Sequence, residues 1–207
     1  LPLPWVPLGA PFGELDTAMV FPDGLGFAAI VSHRITDMEE RGVEYQAEVR
    51  LRVYDQAGEA RDSEMLGVGQ SWIGWSESDH YCAVLRLPAG KMELVVIDKP
   101  TLQVATRIAL PAGSPETMQF DVRSAIQLPD GARLLSLTKY DPVDYKKSET
   151  TLLRYRPATR SLDPDPATYV GRLGSLWAPD AEHVRGITMF ESDGLDGVNS
   201  AGVNCMA

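Results

Sequence analysis

The sequence predicts an all-β protein built from about four repeats of four strands each. Three observations carry this expectation. A turn centred on an acidic residue, often Pro-Asp-Gly, recurs between apolar runs. A second apolar run closed by a polar turn recurs between the copies of the first. The turn aspartates Asp23, Asp79, Asp130 and Asp180 lie 50 to 56 residues apart, at the upper edge of the ~20–50-residue periods of repeat architectures.

The first copy reads Val20-Phe21-Pro22-Asp23-Gly24 and then Phe27-Ala28-Ala29-Ile30-Val31. The second is Gly74-Trp75-Ser76-Glu77-Ser78-Asp79, followed by Tyr81-Cys82-Ala83-Val84-Leu85. Gln127-Leu128-Pro129-Asp130-Gly131 precedes Leu134-Leu135-Ser136-Leu137 in the third. The fourth pairs Leu176-Trp177-Ala178-Pro179-Asp180 with Val184-Arg185-Gly186-Ile187-Thr188. Pro presets the first central torsion of such a turn, Asp bonds back to its own backbone, and Gly supplies a positive φ. Between two β-forming runs this is a hairpin signal, although the second and fourth copies depart from it.

The second element is Leu51-Arg52-Val53-Tyr54-Asp55-Gln56-Ala57-Gly58. Leu94-Val95-Val96-Ile97-Asp98-Lys99-Pro100-Thr101 and Leu152-Leu153-Arg154-Tyr155-Arg156-Pro157-Ala158-Thr159 occupy the equivalent places. Each is a β-run ending in a turn with another strand after it, so the unit is an up-and-down meander of four strands.

Pro-Asp-Gly at the first turn, with Asp-x-x-Thr or Asp-x-x-Gly at the second, resembles the WD40-like blades of TolB-type bacterial propellers from about Thr17 to Phe190. The resemblance implies a small β-propeller of about four four-stranded blades in one domain. Its repeats fall at about 17–70, 71–122, 123–173, and 174–207 with 1–16. Strands from both termini then share the last sheet, which removes an exposed edge. A two-sheet β-sandwich and an open array are the competing folds. The resemblance concerns fold, since one fold hosts many functions; it favours a periplasmic or secreted setting over a cytoplasmic one.

Bulk properties narrow the partners. The chain has 207 residues, 44% hydrophobic and 23% charged, a globular composition. No stretch approaches the ~18 consecutive apolar residues of a membrane helix, so no membrane insertion is expected. Residues 1–9 lack a basic start and a continuous apolar run, so they are not read as a signal peptide. They also lack an initiator Met, which is read as a processed or trimmed start. The formal charge of −10 argues against a nucleic-acid partner, because phosphate binding relies on clustered Lys and Arg. It either keeps the chain soluble or steers a partner with a basic surface. Of the two cysteines, Cys82 reads as a small buried hydrophobe, and Cys205 pairs with it only if the C-terminus returns to that strand.

Departures from the repeat mark the candidate sites. Copies one and three carry extra residues between their second and third strands, at 36–44 and 141–149. Insertions at equivalent places project from one face, and loops on a rigid scaffold carry binding. A partner-binding rim is therefore expected at Asp37, Glu39, Glu40, Arg41, Asp144, Tyr145, Lys146 and Lys147, with solvated hairpin extensions as the plain alternative. Trp72, Trp75 and Trp177 read as packing between repeats, and Trp5 as an anchor or interface residue.

Catalytic motifs are absent. Gly69-Gln70-Ser71-Trp72 fails the spacing of a Gly-x-Ser-x-Gly elbow, and neither a phosphate-binding Gly-rich loop nor His-Glu-x-x-His occurs. His33, His80 and His183 are the three histidines; His80 and His183 follow turn aspartates and are read as surface turn residues. The run 191–199 offers Asp193, Asp196 and Asn199 as oxygen donors for calcium, but lacks EF-hand spacing; a flexible or edge-pairing tail is the alternative, and no cofactor is expected otherwise. These readings favour a non-enzymatic module that binds another protein, such as a cell-envelope accessory or a toxin-neutralising, immunity-type protein. A metal-assisted hydrolase or lactonase and a structural subunit of a larger complex are the rivals.

Overall fold

The computed structural model describes residues 17–23, 26–34, 47–111, 119–140, 148–177, 183–189 and 202–206. They form an all-β chain with one short 3₁₀ turn, Pro88–Gly90. Two compact units divide it, 1–111 and 112–207.

The first unit holds two antiparallel meanders. One consists of β1 (Thr17–Pro22), β2 (Phe27–Arg34), β3 (Ala47–Tyr54) and β4 (Ala60–Asp62). The other consists of β5 (Gly67–Ser76), β6 (His80–Arg86), β7 (Met92–Asp98) and β8 (Val104–Ala109). They join into one eight-stranded sheet because β5 serves two neighbours. Gly67, Val68 and Gly69 pair with Val49, Glu48 and Ala47 of β3, and from Gln70 onward the same strand pairs with β6.

Burial follows the composition of each strand. β6 and β7 read as near-continuous apolar runs, and their residues from Tyr81 to Leu85 and Leu94 to Ile97 are buried, as in strands covered on both faces. β8 alternates half-buried and exposed residues, the pattern of an outer strand with one solvated face. Between the meanders, Phe21, Ile30, Val49, Leu51 and Val53 meet Tyr81, Leu85, Val95 and Ile97 in a single apolar cluster. Each large side chain fully buried there contributes about 1.5–3 kcal/mol, so this cluster is a large source of cohesion in the unit.

The second unit repeats the plan with differences. Strands β9 (Gln119–Gln127), β10 (Arg133–Tyr140) and β11 (Glu149–Arg156) form a meander whose outer edge is shared by β12 (Ser161–Leu162) and β13 (Ala167–Val170). A separate three-stranded sheet follows, made of β14 (Arg172–Trp177), β15 (His183–Met189) and β16 (Gly202–Met206). Leu176 of β14 packs on Leu128, Leu134 and Leu152 of the preceding sheet. The Pro129-Asp130-Gly131 turn joins β9 to β10, with Gly131 at φ +84° and its amide donating to the Leu128 carbonyl at 2.9 Å.

Gly69 marks the place where β5 passes from one neighbour to the other. A Cβ there would lie 2.0 Å from the Arg86 carbonyl oxygen and 3.2 Å from the Leu87 Cα, and both obstacles are backbone. Gly69→Ala is expected to destabilise the protein by about 1–3 kcal/mol, read as a lower urea midpoint with an unchanged slope. An unchanged midpoint would show that the two pairings of β5 tolerate separation.

Candidate functional site

The densest polar chemistry among the described residues converges on Asp23, in the β1–β2 turn. Its Oδ1 accepts from Ser76 Oγ at 2.9 Å and Lys99 Nζ at 2.8 Å. Its Oδ2 accepts from the Tyr81 hydroxyl at 2.5 Å. Ser76 ends β5, Tyr81 lies in β6, and Lys99 follows β7, so one carboxylate ties the first turn of one meander to three elements of the next. Lys99 also lies 4.9 Å from the centre of the Tyr81 ring, within cation–π range.

Burial alone would raise the Asp23 pKa, but the donors from Lys99, Tyr81 and Ser76 outweigh it and hold the carboxyl below its ordinary value. Burial, reinforced by the Asp23 carboxylate, pushes the Tyr81 hydroxyl up, so Tyr81 stays protonated and keeps donating. The result is an ionised acceptor saturated by fixed donors. Such a group has no proton to give at neutral pH, and its chemistry is that of a clamp.

Asp130, the matching turn residue of the third copy, bonds differently. It accepts from Arg154 at 2.5 Å and from the Ala132 amide at 3.1 Å, and the Arg154 guanidinium holds its carboxyl below the usual range. Arg156 in turn pairs bidentately with Asp163, at 2.6 and 2.9 Å. This cluster lies within the sheet formed by β9–β13.

His80 corrects the sequence reading. It was expected at the surface and is fully buried, with Nδ1 2.6 Å from the half-exposed Asp79 carboxylate. The apolar run that makes β6 an inner strand takes its first residue into the interior as well. Trp75 is buried, its indole nitrogen donating to Glu77 at 2.8 Å. The Cys82 side chain is buried in β6.

The expected rim residues Asp37, Glu39, Glu40, Arg41, Asp144, Tyr145, Lys146 and Lys147 all lie outside the described residues, as do Asp193, Asp196 and Asn199. Their anchoring strands are described. Residues 35–46 connect β2 to β3, 141–148 connect β10 to β11, and 190–201 connect β15 to β16. The acidic run at 191–199 thus precedes a strand, β16, that pairs with β15. In three of four meanders a long connection therefore follows the second strand; in the β5–β8 meander it is short, closed by the Leu87 amide on the Lys91 carbonyl at 2.8 Å.

Among the described residues no group of three or more His, Cys, Asp or Glu side chains could hold a metal ion, and no helix is long and apolar enough to cross a membrane. Comparison with protein-family models, with curated proteins and with solved structures gives no match.

Asp23→Ala is expected to cost about 2–4 kcal/mol at neutral pH and Tyr81→Phe about 1 kcal/mol, measured by urea unfolding. The folded pKa of Asp23 lies below its ordinary 3.8. Its contribution is therefore complete above about pH 4 and lost as pH falls through the folded pKa. The stability gap between the wild type and Asp23→Asn is expected to narrow on acidification in that range. A gap that stays constant to pH 2 would rule out the ionised carboxylate as the source.

Proposed function

We propose that each compact unit is a pair of propeller-type blades, and that the protein is a non-enzymatic module binding a protein partner with a basic surface. The recurrence of long connections at one place in the meander carries this reading. The connections at 35–46, 141–148 and 190–201 all join a second strand to a third. In each meander that end of the sheet is opposite the turn that bears Asp23, Asp130 or its counterpart. Rigid strands presenting variable loops are the usual arrangement of a binding surface.

Charge supports the choice of partner. Asp37, Glu39, Glu40 and Glu44 outnumber Arg41 in the first connection, and Glu191, Asp193 and Asp196 stand without a basic residue in the third. With a net charge of −10, the chain accelerates encounter with a cationic surface and repels an anionic one.

Capture of the tagged protein from its native host is expected to bring down one stoichiometric partner, with retention that weakens as salt is raised. Shortening 36–44 and 141–147 together is expected to abolish that capture while leaving the unfolding free energy within about 0.5 kcal/mol of the wild type. A partner retained by the shortened chain, or a wild-type chain recovered alone, would overturn the reading.

A further inference from the structure

We infer that the outer edge of β8 is a strand-pairing surface for a second copy of this chain, and that Glu64 keeps it closed in the single chain. The surface is distinct from the connections at 36–44 and 141–147, and every residue that forms it belongs to the first unit.

β8 ends the eight-stranded sheet, and the direction of its backbone groups follows from its pairing with β7. The Leu110 amide donates to the Met92 carbonyl at 2.9 Å. The register then runs through Glu93 with Ala109, Leu94 with Ile108 and Val95 with Arg107. Bonded and non-bonded pairs alternate along an antiparallel ladder. Ile108 therefore bonds inward to β7, while Arg107 and Ala109 turn their amides and carbonyls outward. Ala105, Arg107 and Ala109 are the exposed residues of the strand. Val104–Ala109 contains neither Pro nor Gly, so the backbone itself does not refuse a further strand.

An edge of this kind is a template for another chain unless something blunts it. Arg107, the one charged residue of β8, is committed elsewhere: its guanidinium donates to the Leu66 carbonyl at 2.7 Å and to Glu93 at 3.1 Å. The blunting group lies at the other end of the strand. Beyond the register shift between Val96 and Ile97, the Val104 amide donates to Oε1 of the exposed Glu64 at 2.8 Å. A carboxylate thus takes the place that the carbonyl of an added strand would fill. The backbone on either side of Glu64 is fixed. The Ser63 amide donates to the Leu51 carbonyl and the Leu66 amide to the Val49 carbonyl, each at 2.8 Å, and Leu66 is buried in the apolar cluster. Residues 63–66 are a strap, and the Glu64 side chain is its releasable part.

Charge selects the occupant. A net charge of −10 drives two copies apart over most of their surface. Beside β8 the charges balance, with Lys91 and Arg107 against Glu64 and Glu93. A basic partner gains nothing from a neutral patch, whereas a two-fold axis lets the bases of one copy face the acids of the other. An antiparallel edge also matches itself, because its outward groups recur at every second residue in both copies.

Sedimentation equilibrium on the full chain tests the inference. Glu64→Ala uncovers the Val104 amide and is expected to self-associate at least about tenfold more tightly than the wild type. Its Arg107 and Ala109 amides are expected to gain protection from hydrogen exchange as the concentration rises. Adding Ala109→Lys, which places a lysine on the edge, is expected to return Glu64→Ala to the wild-type affinity with its urea midpoint unchanged. Association of Glu64→Ala no tighter than the wild type, association without protection at Arg107 and Ala109, or association that survives Ala109→Lys would overturn it.

Discussion

The first unit depends on β5 serving two partners. A strand has two hydrogen-bonding edges, and an unpaired buried amide costs as much as a lost hydrogen bond. β5 uses its first three residues on β3 and the rest on β6, which joins the two meanders in one sheet. That handover brings the Arg86 carbonyl against Gly69 and lays the Ile30 face of one meander against the Tyr81–Leu85 face of the next. The apolar cluster, the Asp23 clamp and the burial of β6 and β7 all presuppose it.

The second unit makes a similar handover through β13, Gly171 and β14, with 167–170 on β11 and 172–177 on β15, but its described side chains differ. Where the first unit places Ile30 and Val49, the second places Ser136 and Thr150, groups that need partners of their own. The ion pairs of Arg154 and Arg156 lie on partly exposed side chains, where solvent screens such pairs.

Much of the strand order was legible because turns and strands leave different marks. Pro129-Asp130-Gly131 sits between two β-runs and forms the turn its residues favour. The second turns were legible from the ends of their β-runs, yet their geometry was not. The left-handed residue is Gly58 in one copy and the non-glycines Leu102 and Arg160 in the others, so the conformation persists while the residue that advertises it does not. His80 was misplaced because a turn neighbour suggested exposure, whereas the strand it begins is buried on both faces. The Asp23 clamp was invisible for a different reason. Its partners are 53, 58 and 76 residues away, and no local pattern reports which serine, tyrosine or lysine will arrive. The nearest available signal was that Ser76, Tyr81 and Lys99 flank turns equivalent to, or beside, the one that holds Asp23.

The two ends of each meander are thus under opposite constraints. At the turn end of the first unit, side chains from three elements are committed to one carboxylate, so substitution there disturbs several partners at once. The ladders that anchor the long connections end beside them. Arg34 and Ala47 close the β2–β3 ladder before residues 35–46 begin, and Lys139 and Glu149 do the same before 141–148. Loops that follow the last pair of a ladder are where a scaffold of this kind varies in length and charge while its strands keep their register.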